Sequence, residues 1–168
     1  MDRDAIEALY RRYGVVVHRR LRRALGSDDA ALDATQEVFA RALAHGGGFR
    51  GEAEGGTWLF RITTNLAIDL LRARARRDDR TDGLDAPPEA PAPGRPEDRV
   101  LAQRLLGHVP ERTARIALLY HVEEMTGDEV ANELGISRRA VTKHLSRFAE
   151  QARALTASRP TAAPGRLA

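Results

Sequence analysis

The chain contains no cysteine, few aromatic residues and no long apolar run. Without cysteine it can form neither disulfides nor thiolate metal sites. No stretch approaches the roughly 20 apolar residues that a bilayer-spanning helix needs. The N-terminus, where Arg3 is followed by a mixed amphipathic pattern, is not typical of a signal peptide. We therefore expect a soluble cytoplasmic protein without a membrane span.

The usual signatures of enzymes are also missing from the sequence. There is no Gly-rich phosphate loop, no nucleophile motif and no cluster of metal-ligating residues. His144 has no second histidine at a useful spacing, so a surface or backbone contact is the better interpretation than a metal ligand. We expect no catalytic residue, no metal and no cofactor, and hence a protein that is not an enzyme.

Charge is unevenly distributed along the 168 residues, whose net charge is +3. Between Asp78 and Asp98, seven acidic residues face two arginines, which leaves the rest of the chain at +8. A basic body divided by an acidic connector suggests a polyanionic partner such as nucleic acid. A solvated surface remains the alternative.

Apolar periodicity predicts helices throughout the first part of the chain. The first helix has its apolar positions at Ile6, Leu9, Tyr10, Tyr13, Val17, Leu21 and Leu25. Gly26 is predicted to end it, and Ser27 to begin a second helix, whose inner face carries Leu32, Thr35, Phe39 and Ala42. After a loop from Gly46 to Gly56, Thr57 is predicted to cap a third helix that starts at Trp58. The core positions of that helix are Leu59, Ile62, Leu66 and Leu70.

Residues 78–96 contain five prolines, two glycines and no apolar periodicity, which predicts a flexible linker. The segment 158–168 has the composition of a disordered tail. The predicted fold is therefore all-α, with two small helical domains at 1–77 and 97–157 joined by the linker.

The second domain contains a predicted helix-turn-helix. Thr126 and Glu129 have the spacing of a capping box, Gly135 suits the left-handed end of the first helix, and Ser137 caps the second. The residues that would face inward are Val130, Ala131, Leu134, Ile136, Val141, Leu145 and Phe148.

The outer face of the second helix is polar and basic, and it carries Arg138, Arg139, Thr142, Lys143 and Arg147. An α-helix fits the DNA major groove, and residues near its N-terminus reach base edges. The alternative is a helical hairpin with a solvated basic face, which would serve as a protein-docking element.

Three segments, in their order along the chain, resemble bacterial RNA polymerase sigma factors of the extracytoplasmic-function (ECF) type. Segment 33–43 (DATQEVFARAL) is similar to their polymerase-binding helix, and 57–72 (TWLFRITTNLAIDLLR) to their promoter-melting helix. Val109–Arg112 and the helix-turn-helix complete the order. The resemblance implies partners and functions: core RNA polymerase, promoter DNA and, from the family type, an anti-sigma factor.

The resemblance also implies roles for individual residues. The residues that would bind the clamp helices of the polymerase β′ subunit are Asp33, Gln36, Glu37 and Arg41. The residues that would bind the −10 element are Phe49, Arg50, Arg61, Asn65, Asp69, Arg72, Arg74, Arg76 and Arg77. The outer face of the helix-turn-helix would bind the −35 element, and the same domain would contact the β flap.

Several alternatives stay open at this point. The charges of segment 33–43 could simply be solvated, and Trp58 could be core or a DNA wedge. Asn65 and Asp69 could bond each other or a base. The acidic linker could be a tether or could enter the polymerase RNA channel. Gly55-Gly56 departs from the bulky or basic residue usual in relatives, which leaves open a sigma-like regulator that binds without starting transcription.

Overall fold

The structure is a computed structural model that describes residues 3–45, 52–78 and 102–157. Within these ranges all regular structure is helical, which confirms the all-α fold. The predicted tail, and the predicted linker apart from Asp78, lie outside the described residues, as do Phe49 and Arg50.

The helices follow one another with short connections. In the first half they are α1 (Arg3–Leu25), α2 (Asp28–His45) and α3 (Glu52–Asp78). In the second half they are α4 (102–106), α5 (Glu111–Ala117) with a π-helical continuation (Leu118–Val122), α6 (Gly127–Leu134) and α7 (Arg138–Ala157).

The first half is a three-helix unit in which each helix contributes fully buried apolar side chains. Val17 and Leu21 of α1, Val38 of α2 and Leu59 of α3 are inaccessible to solvent. Removing this apolar area from water is the main stabilising contribution, at about 25 cal/mol for each Å². The predicted boundary between α1 and α2 is confirmed, since Gly26 has a positive φ of 74° and the Ser27 Oγ accepts from the Ala30 N–H.

The predicted start of the third helix was wrong. Helix α3 begins at Glu52, so Thr57 lies inside the helix and the predicted loop is shorter than Gly46 to Gly56. Gly55 and Gly56 are buried, and a Cβ at Gly56 would lie 3.2 Å from the Tyr13 Oη. Gly56 therefore lets α3 come close to α1, because it has no side chain to hold the two helices apart.

Two residues predicted to be core are substantially exposed. Leu32 is 49% exposed and Leu70 is 36% exposed. On α3, Leu59 and Leu66 are buried as predicted, and the side chains of Ala67, Ile68, Leu71 and Ala75 are buried as well. The C-terminal part of α3 faces the second half of the chain as well as α1 and α2, so its buried face is not the single stripe that periodicity predicts.

The helix-turn-helix has the predicted caps. The Thr126 Oγ1 accepts from the Glu129 N–H at 3.3 Å, and the Glu129 carboxylate accepts from the Thr126 N–H at 2.6 Å. The bond from the Thr126 N–H, and after it a bond that the Thr126 hydroxyl donates to the Glu129 Oε2 at 2.8 Å, lower the pKa of the Glu129 carboxyl. Gly135 adopts the left-handed conformation at φ 61°, and the Ser137 Oγ accepts from the Ala140 N–H.

The two halves of the chain pack directly against each other and share one hydrophobic core. Gly107, just after α4, lies against α3, where a Cβ would be 2.3 Å from the Ala75 Cβ. The Arg72 guanidinium donates to the Val109 carbonyl at 2.8 Å, and the Gln103 amide donates to the Arg23 carbonyl. The linker composition of residues 78–96 did not predict this contact.

The capping box leads to a stability prediction. Thr126→Ala removes the hydroxyl that satisfies a free N–H at the start of α6, and should lower the free energy of unfolding by about 1 kcal/mol. Urea denaturation followed by circular dichroism measures this. Ser146→Ala on the exposed side of α7 is the control, and an equal loss in both variants would contradict the capping role.

Candidate nucleic-acid interface

Helix α7 has one buried and one exposed face. Val141, Phe148 and Ala152 are inaccessible to solvent. The five residues predicted to bind the −35 element are all exposed on the other side: Arg138, Arg139, Thr142, Lys143 and Arg147. The sequence-predicted set therefore comes together on one surface, which we call the α7 basic face.

Arg138 differs from its neighbours because it folds back onto α6. Its Nε lies 3.3 Å from the Asp128 Oδ1, and the guanidinium occupies the space that a side chain at Gly127 would need. Arg139, Lys143 and Arg147 have no acidic partner among the described residues. Three cations of the α7 basic face are thus available to an anion without breaking an ion pair.

His144 borders the α7 basic face and contacts α5. Its Nδ1 lies 3.0 Å from the Thr113 Oγ1. Burial lowers the pKa of His144, and the nearby charges of Arg112, Arg147 and Lys143 lower it further. Arg112 therefore extends the basic surface from α7 onto α5. The sequence analysis did not assign Arg112 to a basic surface, because it considered this residue only as part of the motif Val109–Arg112.

The predicted −10 residues that the structure describes lie along α3. Arg61, Asn65, Asp69, Arg72 and Arg76 are spaced by four, four, three and four residues, which places them on one face of the helix. Arg61, Asp69 and Arg76 are exposed, as are Arg74 and Arg77 nearby. Arg72 is only partly exposed, because it is bound to Val109.

Among the described residues, Asp69 forms an ion pair with Arg41 and no hydrogen bond to Asn65. Its Oδ2 lies 3.7 Å from the Arg41 Nη1, while the Arg41 Nε donates to the Glu37 Oε1 at 2.7 Å. The Asn65 Oδ1 is buried and has no hydrogen-bond partner in the part of the chain that the structure describes. Arg41 therefore joins the predicted polymerase-binding face of α2 to the predicted −10 face of α3.

The other predicted polymerase-binding residues, Asp33, Gln36 and Glu37, are exposed on α2. They lie on the side opposite the buried Val38 and Ala42. Leu32 and Leu43, both exposed, add apolar area to the same helix. Trp58 is partly buried and packs against the core.

Sequence reasoning missed a cluster of charges between the two halves. Arg20 of α1 forms an ion pair with Glu123 at 3.2 Å and lies 3.9 Å from Glu133. A signal was present, since Arg20 follows Tyr13 and Val17 and precedes Ala24 at apolar spacing. An arginine at a position where the period places an apolar residue indicates a charge that a neighbouring element covers.

Two kinds of site have no counterpart in the described ranges. No group of three or more histidine and acidic residues there could hold a metal ion. In the same residues, no helix is both long and apolar enough to cross a membrane.

Comparison with protein families decides what this arrangement belongs to. The family described as Sigma-70 region 2 matches residues 9–77, and the one described as Sigma-70, region 4 matches residues 99–148. The chain is an ECF-type sigma factor of the sigma-70 family. It acts in promoter recognition and transcription initiation. Sigma factors are transcription initiation factors rather than enzymes.

Two relatives found by sequence agree with this family. The ECF sigma factor SigW of Bacillus subtilis is 29% identical over 90% of this chain and 89% of its own length. SigM of Mycobacterium tuberculosis is 28% identical over 87% of this chain and 74% of its own. The structure of CnrH in complex with the cytosolic domain of CnrY aligns with a TM-score of 0.49 and 25% identity, covering 95% and 92% of the two chains.

The environment of His144 predicts how stability depends on pH. Its pKa is held below the ordinary 6.5 in the folded chain, so the folded state binds a proton less readily than the unfolded state. Neutral His144 therefore contributes to the free energy of unfolding above the ordinary pKa, and this contribution is lost as the pH falls below that value. Relative to His144→Gln, the wild type should therefore lose free energy of unfolding between about pH 7.5 and about pH 5.5.

Denaturation of both proteins at the two pH values measures this difference. The other histidines are common to both proteins, so their titration cancels in the comparison. If the wild type instead gains free energy of unfolding relative to His144→Gln as the pH falls, protonated His144 has a stabilising partner in the folded chain.

Proposed function

We propose that this sigma factor divides its binding surfaces between its two halves. The half at 1–77 binds the clamp helices of the polymerase β′ subunit and the −10 element. The half at 97–157 binds the −35 element and touches the β flap, and the segment 78–96 joins them. Its place of action is the cytoplasm, where core polymerase and promoter DNA meet.

The observation that carries the −35 assignment is the α7 basic face. It is the outer side of the second helix of a helix-turn-helix, and three of its cations lack an acidic partner in the described part of the chain. Arginine suits the O6 and N7 acceptors of guanine, and lysine suits phosphates. Arg139 is thus assigned to a base, and Lys143 and Arg147 to the backbone.

The mixed charges of Asp33, Gln36, Glu37 and Arg41 support polymerase binding. Charge pairs across a helical interface set its register and speed association. Because Arg41 also approaches Asp69, polymerase and −10 DNA would bind at adjacent surfaces. Along α3, the arginines would hold phosphates, with Phe49 and Arg50 near the opened strand, which makes affinity fall as salt rises.

Opening the promoter in this way needs no cofactor and no catalytic group. Unstacking costs a few kcal/mol for each extruded base, which protein–DNA and protein–polymerase contacts offset. An anti-sigma factor remains an expected further partner, on the strength of the ECF type alone.

Run-off transcription from a genomic fragment library tests the function directly. Purified core polymerase should give new, discrete transcripts only when this protein is added, and their start sites identify the promoter elements. Core binding without transcripts would support a regulator that does not initiate. Neither binding nor transcripts would contradict the proposal.

If the two halves bind different partners, substitutions on the α7 basic face should weaken −35 binding and leave core polymerase binding intact. Arg139→Ala should weaken binding to the −35 element by about 1–3 kcal/mol, and Lys143→Ala should weaken it at all sequences and reduce the salt slope by about one. Fluorescence anisotropy with the mapped promoter measures both effects. Arg153→Ala is the matched control, since it removes the same charge from an exposed position further along α7. Equal loss of core binding would contradict the division.

The α2 surface predicts the opposite pattern. Glu37→Lys should abolish core polymerase binding without unfolding the half, because Glu37 is exposed and, among the described residues, bonds only to Arg41. Glu7→Lys is the matched control, because Glu7 pairs with Arg11 at the same spacing on exposed α1. Core binding is measured by co-purification and folding by circular dichroism; a collapse of helicity would show that Glu37 is structural.

A further inference from the structure

Arg138, the first residue of α7, does not follow the direction of the other cations on the α7 basic face. Arg139, Lys143 and Arg147 repeat every four residues and so form one stripe along the helix. Arg138 precedes this stripe by one residue, and its side chain turns toward α6. Its Nε lies 3.3 Å from the Asp128 Oδ1, in the first turn of α6. Arg138 therefore contacts the first helix of the helix-turn-helix as well as belonging to the second.

Gly127 makes room for the guanidinium of Arg138 on α6. A Cβ at Gly127 would overlap the Nη1 and Cζ atoms of Arg138 and would lie 2.9 Å from its Nε. The guanidinium thus rests on the backbone of the first helical turn, and a residue without a side chain permits this close approach. Asp128 and Gly127 together hold the Arg138 side chain from two sides.

This contact contributes little to folding stability. The side chains of Arg138 and Asp128 are 53% and 79% exposed, and exposed ion pairs of this kind add almost nothing measurable to stability. Without Asp128 the place would even be unfavourable for Arg138, because the first turn of a helix carries the positive end of the helix dipole. The arrangement therefore points to binding rather than to folding.

Asp128 leaves donors of Arg138 open to a second anion. The carboxylate lies beside Nε, and no hydrogen bond to another described residue engages Nη1 or Nη2. A guanidinium carries its N–H donors in a planar fork, and two of them can bind a phosphate together. The same guanidinium can therefore hold Asp128 and a phosphate at once.

The place of the guanidinium favours a phosphate over a base edge. In a helix-turn-helix the second helix enters the major groove, while the first crosses the sugar–phosphate backbone of the DNA. The Arg138 guanidinium rests on that first helix, α6. It therefore lies where the backbone would run and not where the bases would be read.

We propose that Asp128 is a positioning residue for −35 binding, which holds Arg138 against Gly127 so that the terminal nitrogens of Arg138 bind a DNA phosphate at the edge of the major groove. The proposal rests on the assignment of the α7 basic face to the −35 element. It divides that face into a stripe that enters the groove and one arginine that fixes the register of the helix on the backbone. Because Arg138 is ordered before DNA arrives, binding costs less side-chain freedom.

The phosphate contact is tested by binding of the full chain to the mapped −35 duplex, measured by fluorescence anisotropy over a range of salt concentrations. Arg138→Ala should weaken binding about tenfold and reduce the slope of log affinity against log salt by about one. The loss should be equal on duplexes with single base-pair changes in the −35 element, since a phosphate contact carries no sequence information. A loss confined to one base pair would show that Arg138 reads a base, and would overturn the phosphate assignment.

Asp128→Ala tests the positioning role, because charge repulsion and positioning predict opposite signs. Removing a negative charge beside DNA would tighten binding, whereas removing the contact that orders Arg138 should weaken it about threefold. Glu150→Ala is the matched control, since it removes one negative charge from an exposed position further along α7, and it should not weaken binding. Tighter binding by Asp128→Ala would overturn the proposal.

Gly127→Ala displaces the guanidinium without changing any charge, because the added Cβ takes its place. It should weaken binding as Asp128→Ala does, with circular dichroism as the check that each variant is folded. In an Arg138→Ala background, neither substitution should weaken binding further, because the residue through which both act is gone. A loss that persists in that background would show that Asp128 and Gly127 act on α6 itself, which would contradict the positioning role.

The order of Arg138 is measured separately, in the protein without DNA. The heteronuclear Overhauser effect of the Arg138 Nε–H should be high in the wild type and in Glu150→Ala, and lower in Asp128→Ala and Gly127→Ala. A low value already in the wild type would overturn the ordering of Arg138 before binding. If the wild type gives the high value and no form of the protein binds the −35 duplex, the −35 assignment fails and the phosphate contact with it, while the Asp128–Arg138 contact stands.

Discussion

Helix α3 has neighbours on two sides, and most of the other features depend on that arrangement. Its N-terminal part packs against α1, with Leu59 inaccessible to solvent and Gly56 close to Tyr13. Its C-terminal part, with Leu71 and Ala75, also meets the second half of the chain at Gly107. The exposed part of α3 is mostly polar, and it carries the proposed −10 residues.

The same constraint brings the proposed binding surfaces into communication. Arg41 lies between Glu37 on α2 and Asp69 on α3, so the proposed polymerase-binding and −10 surfaces share one network of ion pairs. Arg72 connects α3 to the second half through Val109. The α7 basic face lies away from these contacts, and it is complete before any partner binds.

Local signals in the sequence predicted local structure well. The capping box of Thr126 and Glu129, the left-handed Gly135 and the boundary at Gly26 depend on neighbours within a few residues, and all three are present. The same holds for the outward direction of the α7 basic face, because helical periodicity alone places it opposite Val141 and Phe148. The roles of these residues toward DNA and polymerase remain proposals.

Predictions that needed knowledge of a distant neighbour were less successful. The pair Gly55-Gly56 was placed in a loop, although both glycines lie in α3 and Gly56 allows this helix to pass close to Tyr13. Leu70 was assigned to the core from its spacing, although contact with the second half turns a different side of α3 inward. Arg20 looked like one of several basic residues until Glu123 and Glu133, more than a hundred positions away, proved to surround it.

The sequence by itself determined the helices, their caps and the family, because hydrophobic period, capping residues and motif order are all read within short segments. The tertiary structure alone decided which charges are covered and whether the halves touch. Burial of Arg20 or Arg72 depends on side chains that come together only after folding, and a composition that predicts a flexible linker is compatible with halves apart or in contact.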